Sequence, residues 1–219
     1  MSTDPQLVFA IDPGLRNLAY CVMDSNGEVV VLAKDDIFEG NEIVSCEVFC
    51  KIFAWCDSKK DMFDKCAYVV CEKQFMDAKI NLSLSMLVVE TVIHCFAKDK
   101  FVSVHAMSVK RAYSTNTGDY RGNKRKAVER VLNMCPSLFT PEYIASNPKI
   151  DDMCDAYLLA HFFTFHQRQH IKFSRHDVNP NPNLNPNDKD RHEEEEEGGG
   201  SGRVRCVSGE VAVTDVVLA

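Results

Sequence analysis

The sequence predicts an α/β fold with a mixed five-stranded sheet, three antiparallel strands followed by parallel additions, flanked by helices. Five short apolar or β-branched runs have the composition of strands. Ser25-Asn26-Gly27 is a hairpin signal between the second and third runs. Between the later runs, apolar residues recur at helical spacing, which suits crossover connections and therefore parallel strands.

The strands and helices alternate along the chain in the predicted order βββαβαβαα. The hairpin signal joins the second and third strands, whereas the fourth and fifth each follow a helical pattern. The helix over 82–96 is apolar on nearly all sides, so it is predicted to contact protein on more than one side and is the preferred candidate for a subunit interface. The strands are predicted at 7–11, 18–23, 28–32, 67–72 and 101–106, and the helices at about 41–56, 82–96, 124–134 and 151–165.

A change of composition near residue 176 divides the chain. At 219 residues and 45% hydrophobic content, one ordinary core fits comfortably and two large ones do not. Beyond residue 176 come Asn-Pro repeats, five consecutive glutamates and a Gly-Ser stretch, which bury too little apolar surface to offset their ordering entropy. We expect one folded domain over 1–176 and a disordered tail over 177–219 that ends in a short segment of unknown role.

The acidic net charge of −7 conceals a basic segment. Residues 1–176 contain 21 Lys+Arg and 22 Asp+Glu, while 177–219 contain 4 and 10, so the tail carries most of the negative charge. Residues 110–130 contain seven basic side chains against two acidic ones. Such a concentration is typical of a surface that binds nucleic acid.

The ten cysteines do not form a C-x-x-C pattern, and several lie within apolar runs, so we interpret them as reduced thiols. The amino terminus lacks the pattern of a secretory signal, and no apolar run reaches the length of a membrane span. We therefore expect an intracellular, soluble protein with no membrane contact.

Four acidic residues stand at positions where rigid elements could bring them together. Asp12 and Glu72 end two apolar strands, and Asp152 and Asp155 lie on one face of the last predicted helix. Turn formation explains Asp12 equally well in isolation, an exit to solvent explains Glu72, and helix capping readily explains Asp151. Like charges on one helix face nevertheless repel, unless a cation such as Mg²⁺ or Mn²⁺ joins them. The set predicts a two-metal site for phosphodiester cleavage.

The basic segment supplies candidates for contact with DNA. A solvated helix face is the alternative interpretation for part of it, but the segment also contains glycine, asparagine and tyrosine. Tyr113 or Tyr120 could stack on an unpaired base beside phosphate contacts from the basic residues. The predicted DNA-binding residues are Lys110, Arg111, Arg121, Lys124, Arg125 and Lys126.

Four motifs in this order resemble Holliday junction resolvases of the RuvC type, in particular those of poxviruses and other large DNA viruses. They are Ile11-Asp12-Pro13-Gly14; Val70-Cys71-Glu72-Lys73-Gln74; Met107-Ser108-Val109-Lys110 leading to the basic stretch 121–128; and 149–156, which contains Asp152 and Asp155. The resemblance covers about residues 7–167. The combination is much more specific than any one motif.

The resemblance implies an RNase H-like nuclease domain, a homodimer, and nicking of two opposed strands that leaves 5′-phosphate ends. It implies Asp12, Glu72, Asp152 and Asp155 as ligands of Mg²⁺ or Mn²⁺, with two ions per site. Lys110, with Lys124 or Lys126, would approach the scissile phosphate of a four-way DNA junction. A viral member would act where viral DNA replicates in the host cell.

Three other functions share part of this pattern. A different RNase H-like nuclease would use the same acids on RNA or RNA/DNA hybrids, and a non-catalytic junction-binding protein would keep the fold alone. A sugar-kinase-like or actin-like phosphotransferase also places Asp-x-Gly after a strand, but the short chain lacks a second Gly-rich phosphate loop. The intact set of four acids argues against loss of catalysis.

Overall fold

A computed structural model of the protein describes residues 6–38, 45–73, 80–147 and 149–167. Its centre is one five-stranded sheet with the strand order β3-β2-β1-β4-β5. The first three strands pair antiparallel, and β4 and β5 extend the sheet in parallel from β1. This topology confirms the predicted mixed sheet. The strands are β1 (Leu7–Asp12), β2 (Leu18–Met23), β3 (Val29–Asp35), β4 (Cys66–Glu72) and β5 (Phe101–Val104).

Helices connect β3 to β4 and β4 to β5, and the second connection is the crossover that the parallel pairing of β4 with β5 requires. Two short helical segments complete the described chain, a 3₁₀ turn at Lys98–Lys100 and a π-helical turn at Phe163–Gln167. The α-helices are α1 (Ser45–Ser58), α2 (Lys60–Lys65), α3 (Ile80–Ala97), α4 (Ala106–Ala112), α5 (Tyr120–Met134), α6 (Pro141–Ser146) and α7 (Ile150–Phe162).

The sheet separates two apolar cores. On one face, Phe9 and Tyr20 stack with ring centroids 5.2 Å apart and pack with Trp55 of α1 and Phe63 of α2. On the other face, the central strands pack mainly against α7, which is buried along most of its length and contacts both β1 and β2. A central sheet with both faces covered explains why β1 and β4 are nearly continuous apolar runs.

The alternation of side chains along β1 and β4 determines where their terminal acids point. Val8 and Ala10 face the α7 core, so Asp12, two residues further, lies on the same face. On β4, Val70 faces that core and Glu72 follows it. Because Ile11 and Cys71 are paired in parallel register, both acids lie at one edge of the sheet, on the side of α7.

Three short helices were missed because each gives less than two turns of periodic pattern. The predicted strand over 101–106 ends at Val104, and α4 begins at Ala106, the last residue of that predicted strand. The predicted helix over 41–56 is followed by a separate short helix, α2, and α6 precedes α7. The helix predicted over 124–134 begins four residues earlier, at Tyr120, after an N-cap at Asp119.

The apolar character of α3 is explained largely by the fold of a single chain. Val89, Val92 and Ile93 are buried in the core beneath the sheet. A charged residue at position 89 would therefore disrupt the core, and Val89 is not an interface residue. Only the less buried side chains of α3, such as Phe96, could contribute to the predicted subunit interface.

None of the eight described cysteines forms a disulfide bond in the structure, and most of them are buried. Among the described residues, no helix is long and apolar enough to cross a membrane. The predicted tail over 177–219 lies outside the described residues.

Candidate active site

A cavity of about 310 Å³ opens where β1 and β4 end beside α5 and α7. The four predicted acids all line it, although they come from three separate parts of the chain. Its remaining lining is mostly basic or belongs to the turn after β1. The lining residues are Asp12, Pro13, Gly14, Leu15, Arg16, Asn17, Glu72, Lys110, Tyr120, Lys124, Lys149, Asp152 and Asp155.

The turn after β1 presents Asp12 to this cavity. Gly14 has no room for a side chain, because a Cβ at this position would overlap the carbonyl oxygen of Asn17. The Asp-Pro-Gly sequence therefore closes the turn tightly and fixes the end of β1. The turn interpretation of Asp12-Pro13-Gly14 therefore holds, and the same turn places the Asp12 carboxylate at the cavity, as the metal-site hypothesis requires.

Lys124 of α5 joins the acids of α7. Its Nζ is 2.6 Å from Oδ2 of Asp155, 2.9 Å from Oδ1 of Asp152 and 3.4 Å from Oδ2 of Asp151. Asp151 is therefore more than a helix cap: Lys149 is the N-cap residue, and the Asp151 carboxylate lies in the first turn and pairs with Lys124. One ammonium thus compensates part of the charge of three carboxylates.

The remaining negative charge perturbs the acids. Burial raises the pKa of Asp12 well above its ordinary value of 3.8, and the charges of Glu72 and Asp155 raise it further. Burial likewise raises the pKa of Glu72 and of Asp155, although Lys124 and Lys110 oppose the shift. Burial disfavours the charged form of Lys124, but attraction to Asp155 and Asp12 raises its pKa overall. The cluster of acids and lysines therefore keeps a net negative charge.

The chemistry of this cluster fits hard divalent cations. Carboxylate oxygens are the ligands that Mg²⁺ and Mn²⁺ prefer, and a cation would relieve the repulsion that adds to the effect of burial on the pKa values of these acids. Within the described ranges, no group of three or more Asp, Glu, His or Cys side chains is arranged to hold a metal ion directly. Among the carboxylates of α7, the Lys124 ammonium pairs with Asp152 and Asp155.

The predicted DNA-binding residues separate into three places. Lys110 and Lys124 line the acidic cavity. Arg121 and Arg125, again with Lys124, line a second cavity of about 330 Å³ beside it. Arg111 and Lys126 are exposed and line neither cavity, and Lys126 pairs with Glu129 at 3.3 Å.

Sequence reasoning missed Arg16, Asn17 and Lys149, all of which line the acidic cavity. Arg16 and Asn17 follow the Asp-Pro-Gly turn directly, so their proximity to Asp12 was the available signal. Lys149 immediately precedes α7 and was visible as the basic residue before the acidic motif.

The two tyrosines proposed for base stacking have opposite environments. Tyr113 is only 5% exposed, and its hydroxyl is 2.6 Å from Nδ1 of His161, so of the two alternatives Tyr113 is not available for base stacking. Tyr120 is 72% exposed and lines both cavities. It is the tyrosine available to a ligand.

Three solved structures share this fold at low sequence identity. A Thermus thermophilus RuvC in complex with a Holliday junction substrate matches with a TM-score of 0.54 and 16% identity, covering 75% of this chain and 96% of that one. The yeast mitochondrial Holliday junction resolvase Ydc2 matches with a TM-score of 0.53 and 16% identity, covering 77% and 84%. A second Thermus thermophilus RuvC structure gives 0.51 and 18%, covering 75% and 97%. These likenesses concern the fold, and they are consistent with the predicted RNase H-like architecture.

Among curated protein sequences, none matches the chain. A family model described as "Poxvirus A22 protein" matches residues 6–167, which is most of the chain and includes all four predicted acids. The chain therefore belongs to the poxvirus A22 protein family, a family of Holliday junction resolvases, and its activity is that of a crossover junction endonuclease.

Proposed function

We propose that this endonuclease resolves four-way DNA junctions by paired, symmetric, metal-dependent nicks, and that Asp12, Glu72, Asp152 and Asp155 are its metal ligands. The convergence of these four acids on one cavity beside a basic one carries the proposal. An acidic centre binds the catalytic cations, and a basic surround binds the phosphates on either side of the cut.

Mg²⁺ or Mn²⁺, two per site, would supply an activated water and stabilise the 3′ oxygen that leaves. The acids hold these cations on rigid elements, since Asp12 and Glu72 end sheet strands and the other two lie on a buried helix. Rigid placement limits reorganisation during the reaction, which is the basis of electrostatic preorganisation.

Two lysines of this chain act on the phosphate. Lys110 lies at the acidic cavity, close enough to lower the pKa values of Glu72 and Asp155. Lys124 lines both the acidic cavity and the second cavity. A cation held next to the scissile phosphate offsets the charge that develops there, and such groups contribute several kcal/mol to transition-state stability. Lys110 is therefore assigned a catalytic role, together with Lys124.

Cleavage of a labelled four-way junction, compared with linear duplex, flap and RNA/DNA hybrid, tests the proposed function. We expect two nicks at symmetric positions in opposed strands, with Mg²⁺ or Mn²⁺ required and EDTA fully inhibitory. Cleavage of hybrid with an intact junction would instead assign the acids to a ribonuclease. Junction binding without cleavage in either Mg²⁺ or Mn²⁺ would refute the enzymatic mechanism.

A homodimer explains paired nicking, because two subunits related by a twofold axis present two identical sites in matching orientation. An aromatic ridge formed by Phe49, Phe53 and Phe96 on α1 and α3 is the surface that we assign to the interface. Phe49 and Phe53 are 53% and 47% exposed, and the rings of Phe53 and Phe96 are 4.9 Å apart. Clustered exposed aromatic side chains are typical of protein interfaces.

Phe53→Glu is expected to convert the dimer to a monomer, because it places a charge in the centre of the aromatic ridge. Size-exclusion chromatography with light scattering measures the change, and junctions should then be nicked in one strand at a time. Val30→Glu, at an exposed apolar residue on the edge strand β3, is the control and should leave the mass unchanged. A folded Phe53→Glu protein that remains dimeric would exclude the ridge as the interface.

A further inference from the structure

The second cavity adjoins the acidic one and shares part of its wall. Tyr120, Lys124 and Lys149 line both cavities. Its remaining lining consists of the basic residues Arg121 and Arg125 with Val128, Ile150 and Asp151. The carboxylate of Asp151 lies 3.4 Å from Nζ of Lys124, which compensates part of its charge. The cavity therefore presents an aromatic ring, an apolar floor and several cations directly beside the proposed site of cleavage.

Tyr120 projects from a turn that is fixed by hydrogen bonds. The side chain of Asp119 accepts a hydrogen bond from the backbone N of Gly122 at 2.7 Å, which caps α5. The backbone N of Thr117 donates to Oδ1 of Asn123 at 2.7 Å, which closes the loop onto the helix. A side chain at Gly122 would overlap the side chains of Thr117 and Asp119, so the glycine permits this close packing. Rigid support keeps the exposed ring at the boundary between the cavities.

The ring of Tyr120 is placed so that it loses little conformational entropy when a ligand binds. Tyr120 is 72% exposed and its ring centroid is 5.9 Å from Nζ of Lys124, a cation–π distance. An exposed tyrosine on a fixed turn offers a flat surface with few rotatable bonds, and any nucleic-acid base can stack on it. Guanidinium and ammonium groups around such a ring are suited to the phosphates on either side of that base.

We propose that the second cavity binds a nucleotide that flanks the scissile phosphate, with its base stacked on Tyr120 and its outer phosphate held by Arg121, Arg125 and Lys149. This assignment rests on the proposed junction-cleaving function. Base stacking is interrupted where the arms of a junction meet, so a base is extruded there at lower cost than in a continuous duplex. The subsite therefore favours a branch point over continuous duplex DNA, because a base unstacks more easily there.

Substitution of Tyr120 tests the stacking contact. Tyr120→Ala and Tyr120→Leu should each weaken junction binding and slow cleavage by about tenfold, the factor expected for one lost base stack, whereas Tyr120→Phe should retain both. A junction with 2-aminopurine placed, in turn, on each side of the cut should change its fluorescence on binding to the wild-type and Tyr120→Phe proteins. Circular dichroism verifies that all four proteins are folded.

An abasic junction distinguishes stacking from a structural role. Removal of the flanking base should slow cleavage by the wild-type protein about as much as Tyr120→Ala does, and should have no further effect on the Tyr120→Ala protein. Independent, multiplying effects of the abasic site and the substitution would overturn the proposal, as would full activity of Tyr120→Ala. A wild-type protein that does not cut the intact junction would instead refute the function on which the subsite rests.

Discussion

The substitution Asp12→Asn is expected to abolish junction cleavage while leaving junction binding intact. Asparagine has nearly the same shape as aspartate but supplies one neutral oxygen in place of a carboxylate, which weakens a ligand of the catalytic cations. Because metal-ion catalysis contributes several kcal/mol, the cleavage rate should fall on the order of 10³-fold or more. Single-turnover cleavage measures the rate, and gel shift in Ca²⁺ measures binding.

The same substitution should stabilise the metal-free protein at neutral pH. The pKa of Asp12 is raised in the folded state, so its contribution to stability is present below its unfolded pKa and is lost as pH rises through its folded pKa. The asparagine side chain does not titrate. In EDTA, the melting temperature of Asp12→Asn should therefore match that of the wild type near pH 4 and exceed it increasingly toward neutral pH, with about 2–4 °C for each kcal/mol.

Asp57→Asn provides the matched control for loss of one negative charge. Asp57 is exposed on α1 and lies outside the acidic cavity. The Asp57→Asn substitution should leave the cleavage rate and the melting temperature at neutral pH unchanged. If the Asp12→Asn protein cut junctions at the wild-type rate with verified metal loading, Asp12 would have no part in the mechanism. If its melting temperature in EDTA did not rise above that of the wild type with increasing pH, the Asp12 carboxylate would not be unfavourable in the folded state.

The sheet and its acids were predictable because two strong local signals agree with the global fold. The hairpin at Asn26-Gly27 fixes the antiparallel unit, and the buried runs of β1 and β4 identify central strands whose terminal acids must meet at one edge. The short helices α2, α4 and α6 were not predictable in the same way. Each has only six or seven residues, and packing rather than periodicity determines it.

The basic part of the site was predictable by residue type but not by position. Seven basic residues occur between 110 and 130, and the sequence does not indicate which of them α5 turns toward the acids. Lys124 points into the acidic cavity, whereas Lys126, two residues further, pairs on the surface with Glu129. The buried environment of Tyr113 is likewise set by α7, through the contact between Tyr113 and His161.

The substitution Lys124→Met is expected to give a protein that binds divalent metal more tightly than wild type and yet loses cleavage. The ammonium of Lys124 lies 2.6 Å from Asp155 and 2.9 Å from Asp152, so a cation entering between these carboxylates competes with it. Each charge-assisted hydrogen bond is worth about 1.5–3 kcal/mol, which corresponds to a gain in Mn²⁺ affinity of about tenfold or more. Calorimetric titration of the DNA-free protein measures that affinity.

The metal-free variant should also be less stable than wild type at neutral pH. Without Lys124, repulsion among Asp151, Asp152 and Asp155 is less compensated, and the pKa of Asp155, already raised, rises further. The sign follows from linkage: the deficit should disappear as pH falls below the ordinary carboxylate range and should grow as pH rises. Saturating Mn²⁺ should restore the melting temperature, because the metal replaces the missing ammonium.

Opposite effects on metal affinity and cleavage would separate the two roles of Lys124. A purely structural lysine would give a weaker metal site and slower cutting together, whereas a lysine that competes with metal and then neutralises the phosphate gives tighter binding and slower cutting. Lys126→Met, the same charge change on the same helix at an exposed position, should leave the Mn²⁺ affinity unchanged. Unchanged or weaker Mn²⁺ binding by the Lys124→Met protein would show that this ammonium does not occupy the place of a catalytic cation.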